Sequence, residues 1–227
     1  MTNALHKAAK HGHLHKIPKK EVTLANMLQE DEEGQTPILI AAIRGTLNQV
    51  PKELLTTKTM LKKTSEGTTP LHWAAVSGNL NQVPQELLTK KNMLNKDNIG
   101  RTPLHLSAAL GYLYQVPKDI LTEENMTAKE DDGVTPMHWI ARGHLAQLAE
   151  LAKEFITAKY LLIQDNAGRT PLLWVAESKQ LDSLLGIELP DEAKAIVGNK
   201  WWNKNNECLA AKDMVRHKDN TQQISMF

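Results

Sequence analysis

Nine histidines and a single cysteine, Cys208, are the residues of this 227-residue chain best suited to metal binding or proton transfer. Three of them, His72, His105 and His138, stand 33 residues apart. A metal ion would need their ring nitrogens within about 2 Å of one point. Neighbouring packed helices lie roughly 8–10 Å apart, so a row with one histidine per helix cannot close on one ion. The row therefore reads as structural, with each ring bonded to the backbone of a neighbouring turn, because buried polar groups need partners. His11, His13 and His15 form a tighter group that reads first as a solvated N-terminal end, with adventitious metal binding as the alternative. Trp73, Trp139 and Trp174 form a second row. Stacking on a ligand is one use for it. Packing, with ring edges reaching a surface groove, is the reading preferred, since large aromatics bury most of their area. Nucleophilic and phosphate chemistry find no support: no His-Glu-x-x-His, Gly-rich phosphate loop or Gly-x-Ser-x-Gly elbow occurs. The chain reads as no enzyme, and no cofactor or metal is implied.

The elements that carry these rows repeat. Thr69-Pro70-Leu71-His72, Thr102-Pro103-Leu104-His105 and Thr135-Pro136-Met137-His138 are three copies of one word. Thr36-Pro37-Ile38-Leu39 and Thr170-Pro171-Leu172-Leu173 are looser copies, and Ala4-Leu5-His6 opens the chain with a truncated one. A fixed period of this size predicts a stack of supersecondary units sharing one continuous core. Within each unit a glycine such as Gly100 supplies a turn, and the threonine after it caps a helix whose first residue is proline. A second refrain, Gln-Val-Pro-x-Glu-Leu-Leu-Thr, is complete at Gln49–Thr56 and Gln82–Thr89 and recurs with Asp119 and Ile120 in place of Glu-Leu at Gln115–Thr122. Its proline predicts the start of a second helix, followed by a capped turn that packs Met27, Met60, Met93 and Met126 inward. The fifth unit lacks this proline, and a longer second helix is expected over 145–156. A last copy around Cys208 reads as a closing helix, with the cysteine a small buried residue.

Gly-x-Thr-Pro-Leu-His-x-Ala-Ala-x-x-Gly-x-Leu, repeated every 33 residues, resembles the ankyrin repeat from about Asn3 to Met214. The resemblance implies an all-α ankyrin-repeat solenoid of helix-turn-helix units with protruding hairpin loops, about five full repeats plus two capping units. It implies a single domain over 1–217, with an N-terminal cap over about 1–30, repeats over about 31–200, a C-terminal cap over about 201–217 and a polar tail over 218–227. The Val-Pro refrain departs from the Val-Val-x-Leu-Leu-Leu run usual in the family's second helix, which alters the length and tilt expected of the outer helices.

What the resemblance implies about function is a non-enzymatic scaffold that binds a protein or peptide on the concave face. Hairpin tips would contribute Glu66 and Thr68, then Asn98, Ile99 and Arg101, then Asp131, Asp132 and Val134. Glu32, Glu33 and Gln35 hold the same place one unit earlier. Inner-helix ends would add Ile43, then Val76 and Ser77, then Ala109 and Leu110, then Arg142. Trp201 and Trp202 align with the last tip, where they either form a binding hot spot or close the core. The tips are acidic, with Arg101 interrupting them, which favours a partner of basic character. An alternative is a secreted bacterial effector whose array engages a host protein. The net charge of +1 argues against a nucleic-acid partner, and no apolar run is long enough to cross a bilayer. The lack of an apolar leader and the single cysteine point to the cytoplasm, and the chain is expected to be a monomer.

Overall fold

The computed structural model describes residues 3–144, Phe155 and residues 157–177. Within them a row of short inner helices forms the spine: α1 (Ala4–Lys10), α3 (Pro37–Ile43), α5 (Pro70–Val76), α7 (Pro103–Ala109), α9 (Pro136–Gly143) and α11 (Pro171–Glu177). Each packs on the next. Between them lie one-turn helices, α2 (Leu24–Met27), α4 (Thr57–Met60), α6 (Lys90–Met93), α8 (Glu123–Met126) and α10 (Ala158–Leu161).

The inner helices start where the threonines stand. Thr36, Thr69 and Thr102 are extended, and each Oγ1 accepts from the backbone N–H three residues on, at 3.3–3.4 Å. Proline follows at the first helical position. Helices α1, α3, α5 and α7 stop just before glycines with positive φ, as at Gly111 (φ 82°). The small residues Ala41, Ala42, Ala74, Ala75 and Ala108 are wholly buried between them, which permits the close stacking. Leu47, Leu80 and Leu113 and the methionines Met27, Met60, Met93 and Met126 fill the other side of the same core.

The second half of each unit differs from the helix expected of it. Where a helix should begin at the proline there are two single 3₁₀ turns, Leu47–Gln49 and Lys52–Leu54, before α4, and the following two units repeat this. The residue before a proline is excluded from the helical region. Val50, Val83 and Val116 accordingly adopt extended backbone (ψ 132–134°), and the 3₁₀ turn cannot grow through them. Side chains supply the bonds a helix would have made. Thr59 Oγ1 donates to the Leu54 carbonyl at 2.6 Å, Asn92 Nδ2 to Leu87 at 2.8 Å and Asn125 Nδ2 to Ile120 at 2.7 Å. The glutamine of the refrain bridges units. Gln82 Nε2 donates to the Gly45 carbonyl at 2.9 Å while its Oε1 accepts from Asn48 N–H at 3.0 Å, and Gln115 does the same one unit on. The longer helix expected over 145–156, of which only the buried Phe155 is described, the last capping unit and Cys208 lie outside the described residues.

Candidate interaction face

The histidine row resolves into a ladder. His105 Nε2 faces the Ala128 carbonyl at 3.0 Å, His138 Nε2 faces Arg169 at 3.1 Å and His72 Nε2 faces Arg101 at 3.4 Å. A carbonyl only accepts, so Nε2 carries the proton in each and Nδ1 is left as an acceptor. That nitrogen meets the capping threonine of its own unit at 2.8–2.9 Å. Each ring thus ties the cap of one helix to the following turn, with both nitrogens engaged. Burial pushes His72 and His105 down to about 4 and lowers His138 as well, so the rings are neutral near pH 7. Among the described residues no group of three histidine, cysteine or carboxylate side chains could hold a metal ion.

The turns between units protrude as a second ladder. Asp97 N–H donates to the Arg101 carbonyl at 2.8 Å, closing the turn, and Gly100 sits in it at φ 80°. A Cβ on Gly100 would lie 2.7 Å from the Asp131 backbone nitrogen, so glycine is needed there for close approach as well as for φ. Neighbouring tips are joined directly. Asn98 N–H donates to Glu66 at 3.0 Å, Asp131 N–H to Ile99 at 3.3 Å and Asn166 N–H to Asp132 at 2.9 Å.

Cap and inner helix recur from α3 to α11, and α5, α7 and α9 add the buried histidine and the joined tip turn. A family model described as ankyrin repeats (3 copies) matches residues 5–84 and 52–118. The chain belongs to the ankyrin-repeat family. Ankyrin repeats are generally protein–protein interaction modules, and proteins built from them are typically non-enzymatic scaffolds. No curated protein matches the chain. Among the described residues no helix is long and apolar enough to cross a membrane.

The ankyrin stack treats the sequence-predicted site residues unequally. Glu66, Asn98, Ile99, Asp131 and Asp132 at the tips, and Leu110 and Arg142 at inner-helix ends, are exposed. Val76, Ser77 and Ala109 are half-buried, and Ser77 Oγ donates to the Ile43 carbonyl of the preceding unit at 2.9 Å. Two assignments are corrected. Thr68 is buried, its hydroxyl 2.8 Å from that of Thr64 and accepting from the Trp73 indole at 3.3 Å. Val134 is buried in the core. Both sit one residue before the cap, where the chain turns inward. Arg101 is no freely presented cation: its Nε lies 2.9 Å from Asp97 Oδ2, and its side chain is 20% exposed. Asn98 is exposed but engaged, its Nδ2 donating to Ser65 at 2.8 Å. Trp201 and Trp202 lie outside the described residues.

The tryptophans pack as expected. Trp73 and Trp139 are half-buried, and Trp174 is buried edge-on against Trp139 at 5.6 Å. Trp139 donates to Glu130, which replaces the aspartate found at this place in the units before and after. Glu130 is buried, and loss of solvent pushes its carboxyl up to about 7 in spite of that hydrogen bond and the nearby Arg101 charge. Sequence reading gave this residue no role. The signal was the extra methylene at a position that holds aspartate in three other units, Asp31, Asp97 and Asp165, and threonine at Thr64.

A cleft with a volume of about 240 Å³ opens on this face. It lies between the tips carrying Glu33 and Glu66, over Leu39 and Ile43 of α3, with Trp73 of α5 alongside. Glu33 and Ile43 were legible from their place in the repeat. Leu39 was not, because it occupies the register of the buried histidines.

Proposed function

We propose that this ankyrin-repeat chain is a non-enzymatic scaffold that binds a protein or peptide across the face made by the turn tips and the exposed ends of the inner helices. One observation carries the reading. Ile99 and Leu110, 53% and 41% exposed, are two of the three large hydrophobics exposed among the described residues, and they fall at the tip and helix end of the same unit. Covering such side chains is what a partner contributes, with neighbouring polar groups serving as a rim. Glu66, Asp131, Asp132 and Arg142 form that rim, with Val76, Ser77 and Ala109 between. Asn98 and Arg101 keep the tips in shape. The working form in this proposal is a cytoplasmic monomer, in keeping with the single cysteine.

The test is capture of partners from source-cell lysate with the wild-type chain, an Ile99→Asp/Leu110→Asp variant and a Lys52→Glu variant altered in the outer half. A partner held by wild type and Lys52→Glu, and bound at least about tenfold more weakly by the double variant, supports the face. A partner held equally by all three, with unchanged circular dichroism, overturns it.

A further inference from the structure

We propose that the cleft between the turn tips carrying Glu33 and Glu66 receives the guanidinium side chain of an arginine on the bound partner. The inference rests on the reading of the tip face as the partner-binding face and adds what one position of the partner must be. At about 240 Å³ the cleft is smaller than the roughly 300–1,000 Å³ typical of drug-sized ligand sites, so it suits one long side chain. Its floor is apolar, from Leu39 and Ile43, and Trp73 provides an aromatic wall. Its rim is acidic. Glu33 and Glu66 are exposed and make no ion pair among the described residues, whereas Glu30 is paired with Lys62 at 2.8 Å. The one cation lining the cleft, Lys63, has its ammonium on the Lys96 carbonyl of the next unit at 2.8 Å.

Charge complementarity therefore selects a cation, and the apolar floor selects one on a long aliphatic stem. The tryptophan wall and the two rim carboxylates favour arginine over lysine. A guanidinium is planar, weakly hydrated, stacks on aromatic rings and presents a fork of donors to carboxylate oxygens, whereas an ammonium is a strongly hydrated point charge.

The experiment is a titration of the full chain, followed by ¹H–¹⁵N NMR, with N-acetyl-arginine methylamide as probe. Its neutral isostere, N-acetyl-citrulline methylamide, and the lysine analogue serve as comparisons. The arginine probe is expected to move the Trp73 indole N–H and the Gln35 and Ser65 amides, with weak saturating binding. The citrulline probe should bind roughly fivefold more weakly or worse, and a Glu33→Gln/Glu66→Gln variant should weaken the arginine probe by a similar factor. Both glutamates are surface residues, so the variant keeps its fold, which its unchanged spectrum elsewhere will verify. Equal binding of citrulline, or an unchanged isotherm in the double variant, overturns the proposal. Equal binding of lysine overturns the choice of guanidinium. If the arginine probe fails while Ile99→Asp/Leu110→Asp still releases the partner, the cleft assignment alone falls. If the probe binds while the partner ignores that variant, the face reading falls and the cleft stands.

Discussion

Two successive turns, Asp97–Arg101 and Glu130–Val134, solve the same problem with carboxylates that differ by one methylene. Asp97 Oδ1 accepts from the N–H groups of Ile99 and Arg101 at 3.1 and 2.9 Å, and its Oδ2 pairs with Arg101 Nε at 2.9 Å. Asp165 repeats the pattern with Ala167 and Arg169. Glu130 is as buried as Asp97, yet it accepts from the Trp139 indole, and its turn has Val134 where the others have arginine. The longer side chain reaches past the turn into the aromatic row. The short carboxylate is part of a closed local network, and the long one is a titratable group held against a ring. A repeat can keep its shape while changing the chemistry stored in one turn.

The largest test of that contrast is Asp97→Ala. It strips the acceptor from two backbone N–H groups and leaves Arg101 without its carboxylate, at a cost of about 3 kcal/mol in urea unfolding followed by circular dichroism. Thr64 stands at the same place one unit earlier, and its side chain bonds only the Thr68 hydroxyl, so Thr64→Ala should cost about 1 kcal/mol. Equal costs would mean that the carboxylate network is no stronger than the hydroxyl pair.

Next in size is Glu130→Gln, whose effect depends on pH. The folded carboxyl titrates at about 7, above its ordinary range, so the unfolded chain gives up this proton first. Stability from this group is present at acid pH and is lost as pH rises from about 4.5 through 7. Glutamine keeps the shape and the acceptor for Trp139 without the buried charge. Two and a half pH units at about 1.36 kcal/mol each set an upper bound of about 3.4 kcal/mol; reduced for partial solvent screening, the variant should be more stable than wild type by about 2 kcal/mol at pH 8 and by only about 0.5 kcal/mol at pH 5. Urea titrations at the two pH values measure the difference. A gain of the same size at both would show that charge burial is not its source.

These two turns also mark how far the sequence could be read. The stack, the caps, the positive-φ glycines and the inward methionines follow from spacing and residue type, because each is a local requirement repeated in register. The histidines were legible as structural for the same reason: one per unit is too sparse for an ion. The Val-Pro refrain was misread as a helix start because proline's fitness for the first helical position was weighed above its effect on the valine before it. Thr68 and Val134 were misplaced because the turn rotates inward one residue before the cap, a matter of side-chain direction that spacing does not carry. Leu39 shows the same limit, since a register position tells where a residue sits on a helix but not what faces it.

The histidine ladder adds a pH term of opposite sign to that of Glu130. His72 and His105 are held down to about 4 by burial, while the unfolded chain takes up these protons near pH 6.5. Their stabilisation is complete above about pH 6.5 and is lost as pH falls toward 4. Wild type should therefore show a stability maximum on the acid side of neutrality, where the two losses cross. Glu130→Gln should convert that maximum into a rise from pH 4 to 6.5 followed by a plateau. Thermal unfolding at half-unit pH steps distinguishes the two shapes, and a maximum that survives in Glu130→Gln would remove Glu130 as its cause.

The smallest effect expected lies on the rim of the same two turns. Lys96 Nζ donates to the Lys129 carbonyl at 3.0 Å, and Lys129 Nζ to the Gln164 carbonyl at 2.9 Å, so an exposed ladder runs beside the buried carboxylates. These bonds join the same units as the tip contacts, yet both ammonium groups are in water and can exchange a carbonyl for solvent at little cost. Lys96→Met and Lys129→Met keep the aliphatic stems and remove only the terminal donor. Each should cost about 0.5 kcal/mol or less in urea unfolding, and the two should cost nearly the same although one lies beside Asp97 and the other beside Glu130. A cost at Lys129 well above that at Lys96 would mean that the rim ammonium acts on the buried Glu130 carboxyl across the turn. The contrast between the turns would then extend from their interior to their surface.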